Sequence, residues 1–147
     1  MRKTGWFFII AATLFSAGVS QAAQRNVITP EGAKPSKLFS PAIEANGLIF
    51  TSGQLALDPA SGKIEGDIEA QTRQAMKNLQ TVLAAGGSSL DHLVKINIYL
   101  KNIDDYAKMN QVYVTFFNGA PPARTALQVG NIPMDGLIEI EGIAVKR

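Results

Sequence analysis

The spacing of apolar and polar positions assigns most of the elements in this chain. Phe39 to Ala45 and Leu48 to Thr51 form two short strand-like runs separated by Asn46-Gly47. That dipeptide predicts a tight hairpin, because both central residues of a type I′ turn need positive φ. Asp58-Pro59 and Ser61-Gly62 mark the next turns. The period then lengthens: Ile68, Thr72, Ala75, Met76, Leu79, Val82 and Leu83 recur at helical spacing. Asp67 is placed to cap this helix, Glu69 lies in its first turn, and Gly86-Gly87 supplies the stop. Residues 93–101 switch to period two, with Val94, Ile96, Ile98 and Leu100 on one face and Lys95, Asn97, Tyr99 and Lys101 on the other. A second helix is predicted over 103–117, carrying Ile103, Tyr106, Asn110, Tyr113 and Phe117 along one side. Beyond Pro121-Pro122 come strands at about 124–130 and 137–146, joined by the turn Pro133-Met134-Asp135-Gly136.

The predicted order is β-β-α-β-α-β-β, an α+β layer with two helices on one face of a sheet. The last strand is apolar on one side and still carries Ile143 beside Glu139 and Glu141 on the other. No element remains to cover that second face, so another subunit is its natural cover.

Composition sharpens the domain boundaries. Arg2 and Lys3 precede an uncharged, largely apolar stretch from Trp6 to Val19, and Ser20-Gln21-Ala22 then offers small residues where a signal peptidase reads. The stretch is shorter than the roughly 20 residues that span a bilayer. Residues 1–22 are therefore expected to be a cleavable signal, cut after Ala22 or Ala23, and residues 23–147 one domain, periplasmic or secreted and free of the membrane after cleavage. The alternative is an uncleaved N-terminal anchor. Residues 23–37 mix Pro, Gly and charge and read as a tethered arm or loop.

Loss of the leader removes Arg2 and Lys3 but no acid, so 14 basic and 12 acidic residues become 12 and 12. A nucleic-acid binder normally shows a basic footprint, so no nucleic-acid partner is expected. The chain has no cysteine, which excludes disulfides, thiolate nucleophiles and cysteine metal sites. A single histidine, His92, leaves a multi-histidine metal site or a Ser-His-Asp device little to build on; it reads as a surface or capping residue. Ser88-Ser89 and Lys95 form no defensible nucleophile–base pair.

Three motifs in order carry a resemblance: Ile49-Phe-Thr-Ser-Gly-Gln54, the Asn-x-x-Tyr of Asn110 and Tyr113, and Pro122-Ala-Arg-Thr-Ala-Leu-Gln-Val-Gly-Asn-Ile132 followed by Ile138-Glu-Ile-Glu141. Together they resemble the RidA/YjgF family over about residues 35–147. The resemblance implies a chorismate-mutase-like fold, one mixed sheet with two helices on one face, assembled as a homotrimer with sites at subunit interfaces. It implies hydrolysis of reactive 2-imino acids, such as 2-iminopropanoate and 2-iminobutanoate, to 2-oxo acids and ammonia. No metal or cofactor is implied. By position, Arg124 falls on the family's carboxylate-binding arginine and Glu139 on its acidic residue, while Ser52 and Asn110 fall on polar positions of the substrate pocket. Phe39 stands where many members have tyrosine, and Ala126 where many have a cysteine thought to act through its backbone. Thr125 is also a less usual neighbour of the arginine. These departures bear on substrate range more than on the class of chemistry.

The residue types suit that chemistry. A planar guanidinium at position 124 can hold a carboxylate through two parallel hydrogen bonds, fixing distance and plane together, which lysine cannot do. A carboxylate such as Glu139 can position water for attack on the C=N carbon and move protons. If the last two strands form a hairpin, Arg124 lies opposite about residue 143. It is then expected to meet Glu139, if at all, only across a subunit boundary. Each residue also has a plainer reading: an ion pair for Arg124, a solvated charge for Glu139, a turn residue for Ser52, a buried amide for Asn110 and core or pocket wall for Phe39. The functional alternative is a non-catalytic small-carboxylate-binding or chaperone-like trimer of the same fold. Ribonuclease activity, attached to some relatives, is disfavoured by the balanced charge and the lack of a histidine pair.

Overall fold

The computed structural model describes residues 24–147, so the predicted leader lies outside the described residues. Seven strands and two α-helices follow in the order β1 (Arg25–Ile28), β2 (Ala42–Ala45), β3 (Leu48–Thr51), β4 (Gln54–Leu55), α1 (Ile68–Ala85), β5 (Leu93–Leu100), α2 (Tyr106–Tyr113), β6 (Ala123–Gln128) and β7 (Ile138–Val145). They form one mixed sheet of order β1-β2-β3-β7-β5-β6, with β4 also paired to β7. Only β5 and β6 run parallel, as the intervening α2 crossover permits.

The first hairpin forms as its turn predicts: Asn46 and Gly47 both have positive φ, at 52° and 77°, and Ala45 pairs with Leu48. Helix α1 is closed at both ends. Asp67 accepts a hydrogen bond from the Ala70 N–H at 2.9 Å. At the other end Gly87, at φ 77°, takes the left-handed conformation; its N–H bonds Ala84 O, and that of Ser88 bonds Leu83 O. This pair of bonds satisfies carbonyls the helix leaves free. All seven residues of the predicted apolar stripe are buried, together with Gln71. They pack on Ile96, Ile98, Leu100, Ile138, Ile140 and Ala144 of the two central strands.

Several expectations change. The arm predicted at 23–37 contains β1, which pairs with β2 and buries Ile28. Strand β2 begins only at Ala42, because Pro41 has no N–H for a ladder. The helix predicted over 103–117 is α-helical only at 106–113, with 3₁₀ turns on either side. Its buried residues are Met109, Val112 and Tyr113, while Ile103 and Tyr106 are exposed. A bulge between Leu93 and Lys95 puts Leu93, not Val94, into the core.

The largest correction concerns the last two strands. They are not a hairpin: β5 lies between them, antiparallel to β7 and parallel to β6. The segment joining them crosses the end of β5, held by Val129 N–H to Leu100 O at 2.9 Å and Lys101 N–H to Leu137 O at 3.0 Å. β5 can sit there because its alternating apolar residues Ile96, Ile98 and Leu100 are fully buried, as the equally buried β7 is on its other side. Both helices pack on one sheet face. The opposite face carries Asn97, Tyr99, Glu139 and Glu141 together with partly exposed Phe50, Leu127, Ile143 and Val145.

Candidate functional site

Arg124 lies on β6, a sheet edge paired on one side only. It is in register with Ile96, so its side chain leaves the sheet on the helix side. There α2 receives it. The Nη1 group donates to Asn110 Oδ1 at 2.6 Å, and Nη2 donates to the Tyr106 hydroxyl at 2.8 Å. The guanidinium carbon lies 4.8 Å from the centre of the Tyr113 ring and 5.5 Å from that of Tyr106. Tyr113 is itself braced against Phe117, at 4.9 Å between ring centres. Beside Arg124 a cleft of about 340 Å³ opens, walled by Asn110, Tyr113, Val114, Pro121 and Pro122. Arg124 and Asn110, both assigned to the site by the resemblance, are thus in direct contact. Ala126, two residues along the same strand face, is half-buried and packs against the core.

A guanidinium has five N–H donors. Two are engaged by α2, which leaves three for a ligand in a cleft whose other walls are largely apolar. Such a site suits a small carboxylate with an apolar substituent. Burial raises the Tyr113 phenol pKa, partly opposed by the charge on Arg124.

Glu139 lies elsewhere in the protomer. It pairs with Tyr99 on β5, three residues along from Ile96, and projects from the face opposite the helices. Arg124 and Glu139 are therefore two strands apart across the sheet, ~10 Å apart along it, and on opposite faces. No single protomer can bring them together. The expected separation holds, though its cause is the intervening β5 rather than hairpin register.

The surroundings of Glu139 are distinctive. Burial pushes its pKa up, and the neighbouring charge of Glu141 adds to this. Glu141 is anchored by hydrogen bonds from the Tyr99 hydroxyl at 2.7 Å and Asn97 Nδ2 at 3.1 Å. The bond to Glu141, burial, and the charges of Glu141 and Glu139 push the Tyr99 phenol up to about 12. The Glu139 carboxylate packs on Gly53, where an added Cβ would overlap Oε1. Gly53 and Ser52 form the break between β3 and β4, and the Ser52 hydroxyl donates to Ser40 O at 2.7 Å. Phe39 is 60% exposed and borders a separate groove of about 380 Å³ that also includes Pro41, Gly53 and Gln54.

The six residues singled out in the sequence thus fall into two groups. Arg124, Asn110 and Ala126 lie at the β6 edge, whereas Glu139, Ser52 and Phe39 lie around the β3–β4 break. Local sequence pattern signals neither Tyr106 as a ligand of Arg124 nor Gly53 as the seat of Glu139. The four-residue spacing of Tyr106 and Asn110 was visible, but its meaning depends on β6 running beside α2. On the open face, Lys95 Nζ donates to Thr125 Oγ1 at 2.6 Å.

Comparison with known proteins agrees with this architecture. The family model described as Endoribonuclease L-PSP matches residues 29–146. A RutC family protein of Pyrococcus horikoshii is 45% identical over 121 residues, covering 82% of this chain and 96% of its own. The 2-iminobutanoate/2-iminopropanoate deaminase of Mus musculus is 38% identical over 109 residues, covering 74% of this chain and 81% of its own. Among solved structures, the YjgF gene product of E. coli superposes with a TM-score of 0.78 at 33% identity, covering 83% of this chain and 99% of that one. The chain belongs to the RidA/YjgF/RutC family.

Proposed function

We propose that this protein hydrolyses 2-imino acids to 2-oxo acids and ammonia, using Arg124 to grip the substrate carboxylate. The observation that carries this reading is a guanidinium held on two sides by Asn110 and Tyr106 at a cleft, with three donors unspent. Two parallel N–H bonds to a carboxylate fix the plane of the adjacent C=N group. Water then adds to the imine carbon as one of its protons passes to nitrogen, and transfer of the remaining hydroxyl proton to nitrogen lets the aminoalcohol collapse to C=O and expel ammonia. A protonated imine is electrophilic enough to need no further activation. A carboxylate with a raised pKa, such as Glu139, is suited to orient the water and carry the proton.

Because one protomer holds Arg124 and Glu139 on opposite faces, the complete site requires a neighbouring copy to supply the Glu139, Ser52 and Phe39 group. The apolar residues left on the open face, Phe50, Leu127, Ile143 and Val145, support assembly through that face as a homotrimer. The leader-like residues 1–22 support a periplasmic or secreted location. Phosphodiester cleavage finds no such support: the sole histidine, His92, has its Nδ1 engaged with Ser89 Oγ at 3.2 Å.

The test generates 2-imino acids in situ with an amino-acid oxidase and traps surviving imine with semicarbazide. Wild type should reduce the trapped product, and Arg124→Ala should not. Equal trapping with both proteins and with none would refute the hydrolase and leave a carboxylate-binding protein of the same fold.

A further inference from the structure

We infer that Tyr106 is a positioning residue, whose hydroxyl sets the edge of the Arg124 guanidinium that is offered to a carboxylate. The inference rests on the reading of Arg124 as a carboxylate grip and adds to it a residue to which no role has been assigned.

An arginine on an edge strand is poorly held. Strand β6 has a neighbour on one side only, and a long side chain there loses considerable rotamer freedom on being fixed. The Tyr113 ring at 4.8 Å attracts the cation, but attraction to a ring face leaves the guanidinium free to turn in its own plane. One hydrogen bond, Nη1 to Asn110 Oδ1 at 2.6 Å, supplies a pivot. A second, Nη2 to the Tyr106 hydroxyl at 2.8 Å, removes the remaining rotation. Asn110 and Tyr106 can act as a pair because residues four apart lie on one side of a helix. Tyr106 is 38% exposed, near the solvent end of the arrangement, so its hydroxyl is not required to fill the core.

Each terminal nitrogen thus commits one N–H to α2, and the three donors left, Nε–H among them, are each held in a fixed direction. Apart from its ring, 5.5 Å from the same guanidinium, Tyr106 has no other visible task. Neither its ring nor its hydroxyl belongs to the cleft wall, and α2 buries Met109, Val112 and Tyr113 instead.

The test is Tyr106→Phe in the full chain, which keeps the ring and deletes the hydroxyl. Binding of 2-oxobutanoate, a stable analogue of the imino acid, should weaken roughly two- to ten-fold, as expected for one net hydrogen bond. Binding of the neutral analogue 2-oxobutanamide should not change. A merely structural role would weaken both, and that result would overturn the inference, as would undiminished binding of the acid.

A second readout needs no ligand. Slow rotation of the Arg124 guanidinium should appear in ¹⁵N NMR as resolved Nη signals in wild type that merge in Tyr106→Phe. Unchanged signals would also overturn the inference. If the signals merge while wild type has no affinity for 2-oxobutanoate, positioning by Tyr106 stands and the carboxylate-grip reading fails.

Discussion

Replacement of Arg124 by lysine separates charge from geometry. The substitution keeps a cation at the cleft but replaces a planar fork of five donors with a tetrahedral ammonium of three. In the wild-type protein two donors are spent on Asn110 and Tyr106, and three remain, from which the proposed grip takes a parallel pair. An ammonium that satisfies Asn110 and a carboxylate oxygen has one donor left, and it cannot lie parallel to the first. The loss is at least one hydrogen bond to a charged group, about 1.5–3 kcal/mol. Carried into the transition state, that corresponds to a roughly 10- to 150-fold fall in kcat/KM. The semicarbazide assay across a range of imine concentrations measures this directly, and sedimentation checks that assembly is intact. Lysine should also fail to restrain the plane of the imine, so kcat should fall together with affinity. Full activity in Arg124→Lys would refute the bidentate picture and show that a point charge suffices.

Other perturbations test the second half of the site and its frame. Glu139→Gln should lower kcat by roughly 10²- to 10⁴-fold with little effect on binding of 2-oxobutanoate. The same variant should melt higher than wild type at neutral pH. Burial raises the Glu139 pKa above its ordinary 4.5, so its stability contribution is full below that value and lost as pH rises through the folded pKa; the difference in Tm should vanish in acid. Gly53→Ala places a methyl group on the Glu139 carboxylate. Because that carboxylate is a flexible chain end, the fold should survive while activity falls roughly 100-fold; a well-folded, fully active variant would remove Glu139 from the mechanism. Asp67→Ala deletes the α1 cap and should cost about 1 kcal/mol in urea denaturation with activity retained.

What the sequence disclosed and what it withheld divide along local and non-local physics. The Asn46-Gly47 turn, the Asp67 cap, the apolar stripe of α1 and its glycine stop depend on residues a few positions apart, and all appear where the pattern puts them. Strand β1 escaped because only Ile28 of its four residues is buried, so it has almost no apolar alternation to read. The pairing of β6 escaped for a different reason. A turn-like segment at 133–136 between two strands signals a hairpin, and nothing local reveals that a third strand has taken the place between them. That is settled by burial: β5 carries apolar residues at Ile96, Ile98 and Leu100 that become fully buried only in the middle of the sheet.

The position of β5 also shapes the candidate site. Had β6 and β7 been neighbours, a direct contact between Arg124 and Glu139 would have been a matter of register alone, and a salt bridge within one hairpin a natural outcome. With β5 between them, the parallel pairing sends Arg124 toward the helices, while the antiparallel pairing of Glu139 with Tyr99 sends it the other way. The cation therefore finds its partners on α2, and the acid stays half-buried beside a second acid with its pKa raised. Raising the pKa of an acid costs stability, and a nearby arginine in the same chain would have relieved that cost. Insertion of one strand thus leaves the cation with donors to spare at the β6 edge, and the acid with a raised pKa on the opposite face of an interior strand. The proposed hydrolysis, which needs both on one substrate, therefore requires a second copy of the chain to present the other half.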